Sequence, residues 1–432
     1  MEGPALGLAG FGAVLALIAL RVPVGIAMGV VGAIGYGLTY GWSSLAFVLG
    51  RAPFDSAHPV SLSVVPLFVM MGVFAGRTGL SQSLYNMVAT FVGHLKGGLA
   101  MATVGASALF GAVCGSSIAT AATIGRIALP EMRRHGYDDR LASASVAAGG
   151  TLGVMIPPSI LFVIYGLMTE NPIGKLFVAG ILPGVLGTGL YMLAVRWITW
   201  RRPASGPAAA RRAWRERVRG LADVWQVVLL FGVVLGGMYL GWFSPTEAAA
   251  VGAFGALALA ALGQRLTLNV LAQGLIETAG TTAMIFLILI GASVFNFFVD
   301  ATGLTQSMIG YVRDLGWGRL EVFVALCVFY IILGCLMDSL SMILLTLGAV
   351  YPLVKSLGFD PIWFGVVLVT LGEIGMITPP VGMNLFVLQS AGGMRLETVA
   401  RGILPFVTAD VVRILLLSLF PFLATWLPGQ MA

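Results

Sequence analysis

Long apolar runs separated by short polar or basic segments form the hydrophobic pattern of this chain. A helix that crosses a membrane needs about 20 predominantly apolar residues. In the first half of the chain, the uninterrupted runs of this kind cover residues 5–20, 23–40, 61–76 and 176–198. The pattern therefore predicts an all-α polytopic membrane protein.

Two further apolar segments of the first half are interrupted by small and polar residues. Residues 99–132 are split at 114–117, and both flanks of this segment are basic. Basic flanks favour the cytoplasm, so the segment is predicted to be a re-entrant helical hairpin whose tip lies at membrane depth. Residues 141–170 are predicted to cross once as a broken helix, because Gly residues and the Pro157-Pro158 pair interrupt them.

The same elements recur 222 positions later in the chain. The Pro-Pro pair at 157–158 matches the pair at 379–380, since 379 − 157 is 222. Five crossings in the first half are an odd number, so the second copy is predicted to lie inverted in the membrane. The predicted units are a first repeat over 1–198, a basic linker over 199–223, and a second repeat over 224–432 with a hairpin at 320–354 and a broken helix at 361–391.

Composition and charge agree with this assignment. The chain is 58% hydrophobic and 10% charged, with a mean hydropathy of +0.97, whereas a soluble domain is about 25% charged. Eight Arg and two acidic residues between 196 and 223 account for the whole net charge of +6. This segment is predicted to be cytoplasmic, and no nucleic-acid surface is expected. The acidic start of the chain then places both termini in the periplasm.

The interruptions carry the candidate chemistry. Hydroxyl and carbonyl oxygens at a hairpin tip and a broken helix are suited to a small hard cation such as sodium. The predicted ion-binding residues are Ser116, Ser117, Thr120, Gly150, Gly153 and Pro157 in the first copy, and Asp338, Ser339, Gly372, Gly375, Thr378 and Pro379 in the second. The alternatives are that the small residues only allow close helix packing, and that Asp338 only caps a hairpin arm.

Ionisable groups inside apolar runs are functional candidates by default. Glu373 lies on a repeated element, and Arg126 lies on the returning arm of the first hairpin. Arg126 is predicted to attract a carboxylate substrate, to pair with an intramembrane acid, or to extend its side chain to the cytoplasmic surface. Four acids nearer to helix ends are expected to be solvated or to cap helices, namely Glu247, Glu277, Asp300 and Asp410. The scattered Cys and His residues predict no metal site other than one for sodium.

Several motifs resemble the large membrane subunit of tripartite ATP-independent periplasmic (TRAP) transporters. They are the segments 111–122, 149–160, 177–184, 244–250 and 378–384, in the same order along the chain. The resemblance implies an elevator-type architecture and sodium-coupled uptake of a dicarboxylate, sugar acid or related carboxylate. It also implies two or more sodium ions as the only cofactors, and a substrate site that includes Thr151, Arg126, Ser341, Glu373 and Asn384. Arg126 departs from the family pattern, in which a small or apolar residue is usual.

The resemblance also implies partners and a location. A small membrane subunit (Q) is expected as a separate chain, together with a periplasmic solute-binding protein (P) and membrane lipids. The expected location is the bacterial inner membrane. No phosphate-binding Gly-x-x-x-x-Gly-Lys-Ser/Thr motif is present, so the chain is not expected to hydrolyse ATP or to act as an enzyme.

Two other functions are compatible with the pattern. A stand-alone sodium-driven organic-anion carrier would transport in liposomes without a binding protein. The third hypothesis is an intramembrane enzyme or an assembly scaffold. The sequence lacks a His, Cys or paired-acid constellation at catalytic spacing, which argues against the enzyme.

Overall fold

The computed structural model describes residues 3–77, 79–264 and 266–431. Residues 1, 2 and 78 of the predicted first repeat, and 265 and 432 of the second, lie outside the described residues. Within these ranges the secondary structure is entirely helical. Eight helices, or nine if a bent pair is counted as one span, are long and apolar enough to cross a membrane. The chain is therefore a polytopic helical membrane protein.

Ten α-helices form the first half of the chain. They are α1 (Gly3–Ala19), α2 (Val24–Tyr40), α3 (Trp42–Ala57), α4 (Val64–Arg77), α5 (Leu80–Val92), α6 (Gly98–Cys114), α7 (Ser117–Arg134), α8 (Asp139–Met155), α9 (Ile160–Thr169) and α10 (Ile173–Arg201). A 3-10 turn, Val60–Ser63, precedes α4. Helices α3 and α5 were not expected as separate elements, because neither has the long apolar run of a crossing.

The linker and the second half contain eleven α-helices. They are α11 (Trp214–Ala222), α12 (Trp225–Tyr239), α13 (Pro245–Leu262), α14 (Leu268–Ala301), α15 (Leu304–Asp314), α16 (Arg319–Leu336), α17 (Ser339–Ser356), α18 (Pro361–Ile377), α19 (Met383–Gly392), α20 (Leu396–Leu419) and α21 (Phe422–Gly429). A second 3-10 turn covers Pro203–Ser205. Glu247 forms a capping box with Ser244 at the start of α13, which is the capping role expected for it.

Four interruptions divide the helices that build the site. Helices α6 and α7 separate at Gly115, whose φ of 64° lies in the left-handed region that glycine adopts readily. Helices α16 and α17 separate at residues 337–338. The first break, 156–159, separates α8 from α9, and the second break, 378–382, separates α18 from α19. Both Pro-Pro peptide bonds in these breaks are cis. The equivalent helices α7 and α17 begin 222 positions apart, as do α8 and α18.

Close helix packing positions these interruptions. Helix α8 contacts both arms of the first hairpin, α6 and α7, while α18 contacts both arms of the second hairpin, α16 and α17. Helices α8 and α18 also contact each other and α20. A Cβ atom on Gly375 would lie 2.5 Å from the Gly334 Cα atom, so only glycine fits where the second hairpin meets its broken helix. The opposite membrane orientation of the two copies stays a prediction.

Candidate functional site

The N-terminus of the second arm in each hairpin is capped by a polar side chain. The Ser116 hydroxyl accepts a hydrogen bond of 3.4 Å from the Ala119 N–H. At the equivalent position, Asp338 Oδ2 accepts one of 3.1 Å from the Ser341 N–H, and Oδ1 accepts one of 2.6 Å from the Ser341 hydroxyl. Asp338 therefore caps α17, and Ser341 is engaged by this cap in the state described.

In the first copy, buried oxygens face two glycines of the broken helix. A Cβ atom on Gly150 would lie 3.1 Å from the Ser117 carbonyl oxygen, and one on Gly153 would lie 2.8 Å from Thr120 Oγ1. Thr120 is fully buried. The Cys114 thiol lies near the Thr120 hydroxyl, but within the described residues no group completes a hydrogen bond with Oγ1. Ser117 and Thr120 thus contact Gly150 and Gly153, and the Thr120 hydroxyl remains unsatisfied among the described residues.

In the second copy a buried hydroxyl also faces a glycine of the broken helix, at a position that does not correspond to Thr120. A Cβ atom on Gly372 would lie 2.8 Å from Ser339 Oγ. Ser339 is 3% exposed, and its hydroxyl has no hydrogen-bond partner in the part of the chain that is described. Thr378, at the start of the second break, donates its hydroxyl to the Ile374 carbonyl of its own helix at 2.6 Å. Of Ser339, Ser341 and Thr378, only Ser339 has a hydroxyl without a partner among the described residues.

Asn384 joins the two copies. Its Nδ2 atom, just after the second break, donates to Ser117 Oγ of the first hairpin at 2.7 Å and to the Ala147 carbonyl of α8 at 3.1 Å. Asn384 is fully buried, and its Oδ1 atom lacks a partner among the described groups. Residues that lie 267 positions apart in sequence are thus brought together at the first hairpin tip.

Glu373 and Thr151 belong to a buried polar network instead of an open cavity. Glu373 Oε2 forms an ion pair of 2.7 Å with Arg413, which also pairs with Asp410 at 2.9 Å. The Tyr191 hydroxyl donates to Asp410 at 2.6 Å and lies 3.2 Å from the Thr151 hydroxyl. All five side chains are fully buried. We refer to these five residues as the buried network.

This network corrects one expectation and adds two residues, Tyr191 and Arg413. Asp410 was expected near a helix end, in a solvated or capping role. It lies instead in the middle of α20, where its charge is paired with Arg413. Arg413 was not identified from the sequence, although its position three residues after an acid inside an apolar run was a usable signal.

Arg126 lines a cavity of about 410 Å³ beside the first hairpin. The wall of this cavity includes Arg77 of α4 and Glu277 of α14, which form an ion pair of 2.6 Å. Arg126 is exposed, and Ser116 at the hairpin tip also lines the cavity. The role of Arg126 stays a prediction.

The comparison with known protein families identifies the family of this chain. Residues 11–423 match the profile of the family described as "Tripartite ATP-independent periplasmic transporter, DctM component". The chain belongs to this family. The resemblance noted from the motifs is thereby confirmed, and the chain is a large permease component of TRAP transporters.

Relatives with assigned names are TRAP permeases. The C4-dicarboxylate TRAP transporter large permease protein DctM of Pseudomonas aeruginosa is 35% identical over 87% of this chain and 88% of its own length. The sialic acid TRAP transporter large permease protein SiaM of Vibrio cholerae is 33% identical over 85% and 86%. An isethionate TRAP transporter permease protein, DctMQ of Oleidesulfovibrio alaskensis, is 33% identical, and the match covers 97% of this chain but 66% of that protein. These names describe transporters and not enzymes.

Two solved structures share the fold at low sequence identity. The YdaH transporter of Alcanivorax borkumensis superposes with a TM-score of 0.57 at 17% identity, covering 90% of this chain and 89% of its own. MtrF of Neisseria gonorrhoeae superposes with a TM-score of 0.60 at 12% identity, covering 89% and 84%. At these identities the comparison supports the fold alone.

Proposed function

We propose that this chain is the large permease subunit of a sodium-coupled secondary transporter that imports an organic acid delivered by a binding protein. The observation that carries the proposal is the pair of buried, unpartnered hydroxyls at equivalent helix interruptions, Thr120 and Ser339. A buried polar group without a partner costs about 1–3 kcal/mol. One such hydroxyl at each of the two hairpins is explained by a ligand that completes it.

Sodium suits the chemistry of these two places. Hard cations bind hydroxyl, amide and carbonyl oxygens, and such oxygens face Gly150 and Gly153 in the first copy and Gly372 in the second. Asn384 Oδ1 is a further unpartnered oxygen near the first hairpin tip. The proposed sites therefore need no additional acidic side chain at the cation.

An elevator movement is supported by two cavities that share a lining pattern. The cavity beside Arg126 is lined by one face of α4, and a second cavity of about 390 Å³ is lined by one face of α14. The lining residues are Val69, Gly72, Val73 and Gly76 in the first case, and Ser293, Asn296, Phe297 and Asp300 in the second. Each residue of the second set lies 224 positions after its counterpart in the first set, as Asn296 does after Gly72. We propose that a transport domain containing both hairpins and both broken helices moves past α4 and α14 and exposes the substrate to the two sides in turn.

The substrate is proposed to be a carboxylate that binds beside Arg126. Two Arg and one Glu line this cavity, so it carries one surplus positive charge. A guanidinium binds a carboxylate through two parallel hydrogen bonds. The C4-dicarboxylate and sialic acid named for the relatives belong to the same chemical class. Thr151, Ser341 and Glu373 have other partners in the present state, so Arg126 is the residue on which we base the substrate site.

The remaining parts of the assembly are also proposals. The small membrane subunit is proposed to be a separate chain. DctMQ of Oleidesulfovibrio alaskensis differs in this respect, because it is longer than this chain and its name joins the letter M of the large subunit to the letter Q of the small subunit. A periplasmic binding protein is proposed to deliver the substrate. The location is proposed to be the bacterial inner membrane, with the Arg-rich linker in the cytoplasm and both termini in the periplasm.

Reconstitution tests the proposal. Proteoliposomes that hold the permease and the small subunit are loaded with potassium, and uptake of a labelled dicarboxylate or sialic acid is followed after sodium and the binding protein are added outside. We expect uptake only when sodium, binding protein and small subunit are all present. Uptake by the permease alone would support the stand-alone carrier instead, and uptake that is equal in potassium would exclude sodium coupling.

A further inference from the structure

The buried network connects corresponding residues of the two repeats. Thr151 and Glu373 lie 222 positions apart, and so do Tyr191 and Arg413. Within the first copy, the Thr151 and Tyr191 hydroxyls lie 3.2 Å apart. Within the second copy, Glu373 and Arg413 form an ion pair of 2.7 Å. Asp410 links the two pairs, because it accepts from Tyr191 and pairs with Arg413. One continuous chain of polar contacts therefore runs from α8 to α18.

The network is attached immediately beside the proposed cation sites. Adjacent residues of an α-helix point about 100° apart, because a turn contains about 3.6 residues. Gly150 faces the first hairpin, while Thr151 points to α10; Gly372 faces the second hairpin, while Glu373 points to α20. The contacts of Thr151 and Glu373 therefore fix the rotation of α8 and α18 about their axes. This rotation determines how Gly150 and Gly372 face the hairpins.

The surrounding packing is shaped to hold this network. A Cβ atom on Gly187 of α10 would lie 2.5 Å from Arg413 Nη1, so the guanidinium occupies space that only a glycine leaves. The Tyr191 ring packs edge-on against Phe406 with centroids 5.6 Å apart. Full burial of all five side chains keeps the network away from substrate. Its influence on transport must therefore act through the positions of α8 and α18.

We propose that the buried network is a positioning device that couples the two cation sites, so that occupation of one site favours the geometry of the other. This inference rests on the proposed sodium coupling. Coupling between two sites appears as positive cooperativity in binding. The network residues that act in this way, Tyr191, Asp410 and Arg413, contact neither cation nor substrate in the proposal.

Sodium-dependent thermal stabilisation of the purified permease tests the coupling. A ligand that binds the folded protein raises its melting temperature in a concentration-dependent way, so the melting curve reports half-saturation and the Hill coefficient. Tyr191→Phe removes the hydroxyl that joins the two halves and keeps the ring. We expect half-saturation to rise about fivefold, the effect of one lost hydrogen bond, and the Hill coefficient to fall to about one.

Tyr330→Phe is the matched control. Tyr330 is also fully buried and its hydroxyl lies 3.0 Å from the Thr346 hydroxyl, but this pair is outside the network. We expect the sodium concentration at half-saturation and the Hill coefficient of this variant to equal those of the unchanged protein. Thr151→Val, which removes the other end of the same link, carries the test if Tyr191→Phe does not fold.

The possible outcomes separate the inference from the proposed function. If the role of Tyr191 is purely structural, the melting temperature of Tyr191→Phe falls equally with and without sodium. The sodium concentration at half-saturation and the Hill coefficient then stay unchanged, which would overturn the inference while sodium coupling stands. If the unchanged protein is not stabilised by sodium more than by potassium, sodium coupling fails, and the inference fails with it.

Discussion

At the scale of single residues, each proposed site contains one buried hydroxyl that lacks the usual helix partner. Buried Thr and Ser in helices usually donate to a carbonyl of the preceding turn, and Thr278 does so at 2.8 Å. Thr120 and Ser339 have no such partner within the residues described. A bound cation would complete both hydroxyls.

Thr120→Val tests this distinction. Valine has nearly the same shape but cannot bind a cation, and it removes an unsatisfied group. We expect unchanged or slightly higher thermal stability, and a sodium requirement for uptake that rises about tenfold or more, because hydrogen bonds and ligands to a charged group are worth about 1.5–3 kcal/mol. Sodium titration of uptake in proteoliposomes provides the measurement. Thr278→Val is the control, and a Thr120→Val curve identical to it would show that Thr120 is not a ligand.

The sequence predicted part of this site for a physical reason. Gly, Ser and Pro residues that interrupt an apolar run are visible locally, and the structure has helix interruptions at 115–116 and at both Pro-Pro pairs. The buried network was not predicted, because Tyr191 and Asp410 are 219 positions apart. Only the three-dimensional packing of α10, α18 and α20 brings these groups together.

At the scale of helices, the packing of α2 against α14 is governed by glycines. A Cβ atom on Gly32 would lie 2.7 Å from the Phe295 Cα atom, and one on Gly291 would overlap the Gly25 carbonyl oxygen. Small residues allow this close approach, which stabilises helix pairs in a membrane. Helix α14 is 34 residues long and also contacts α4. We regard α2, α4 and α14 as a rigid support for the proposed elevator movement.

Gly291→Ala is expected to weaken this support. The added methyl group has no room at the Gly25 carbonyl, and overpacking of this kind costs about 1–3 kcal/mol. The melting temperature of the purified protein should therefore fall. Gly280→Ala, in the same helix but with no atom within 4 Å of the added Cβ, should leave it unchanged. Equal melting temperatures for the two variants would contradict the packing described for α14.

At the scale of the whole molecule, the elevator proposal requires the two repeats to have opposite orientations in the membrane. Helix lengths and apolar runs do not determine orientation, and basic residues near 313–319 and 355 conflict with the positive-inside tendency. The bases of the two hairpins provide equivalent positions for a direct test. Arg134 and Ser356 lie 222 positions apart, and both are exposed.

Single cysteines at these two positions report orientation. In a protein whose natural cysteines have been replaced, we expect Arg134→Cys to react with an impermeant thiol reagent only from the cytoplasmic side. Ser356→Cys should react only from the periplasmic side. Labelling of whole cells and of inverted membrane vesicles distinguishes the two sides. Reaction of both cysteines from the same side would exclude an inverted repeat.

Binding of radiolabelled sodium to the purified permease, in the presence of excess potassium, tests the central claim most directly. We expect saturable binding that unlabelled sodium displaces, and a lower number of bound ions in Ser339→Ala than in the unchanged protein. Absence of saturable binding, or an equal number of bound ions in Ser339→Ala, Thr120→Val and the unchanged protein, would contradict the claim that these helix interruptions hold sodium.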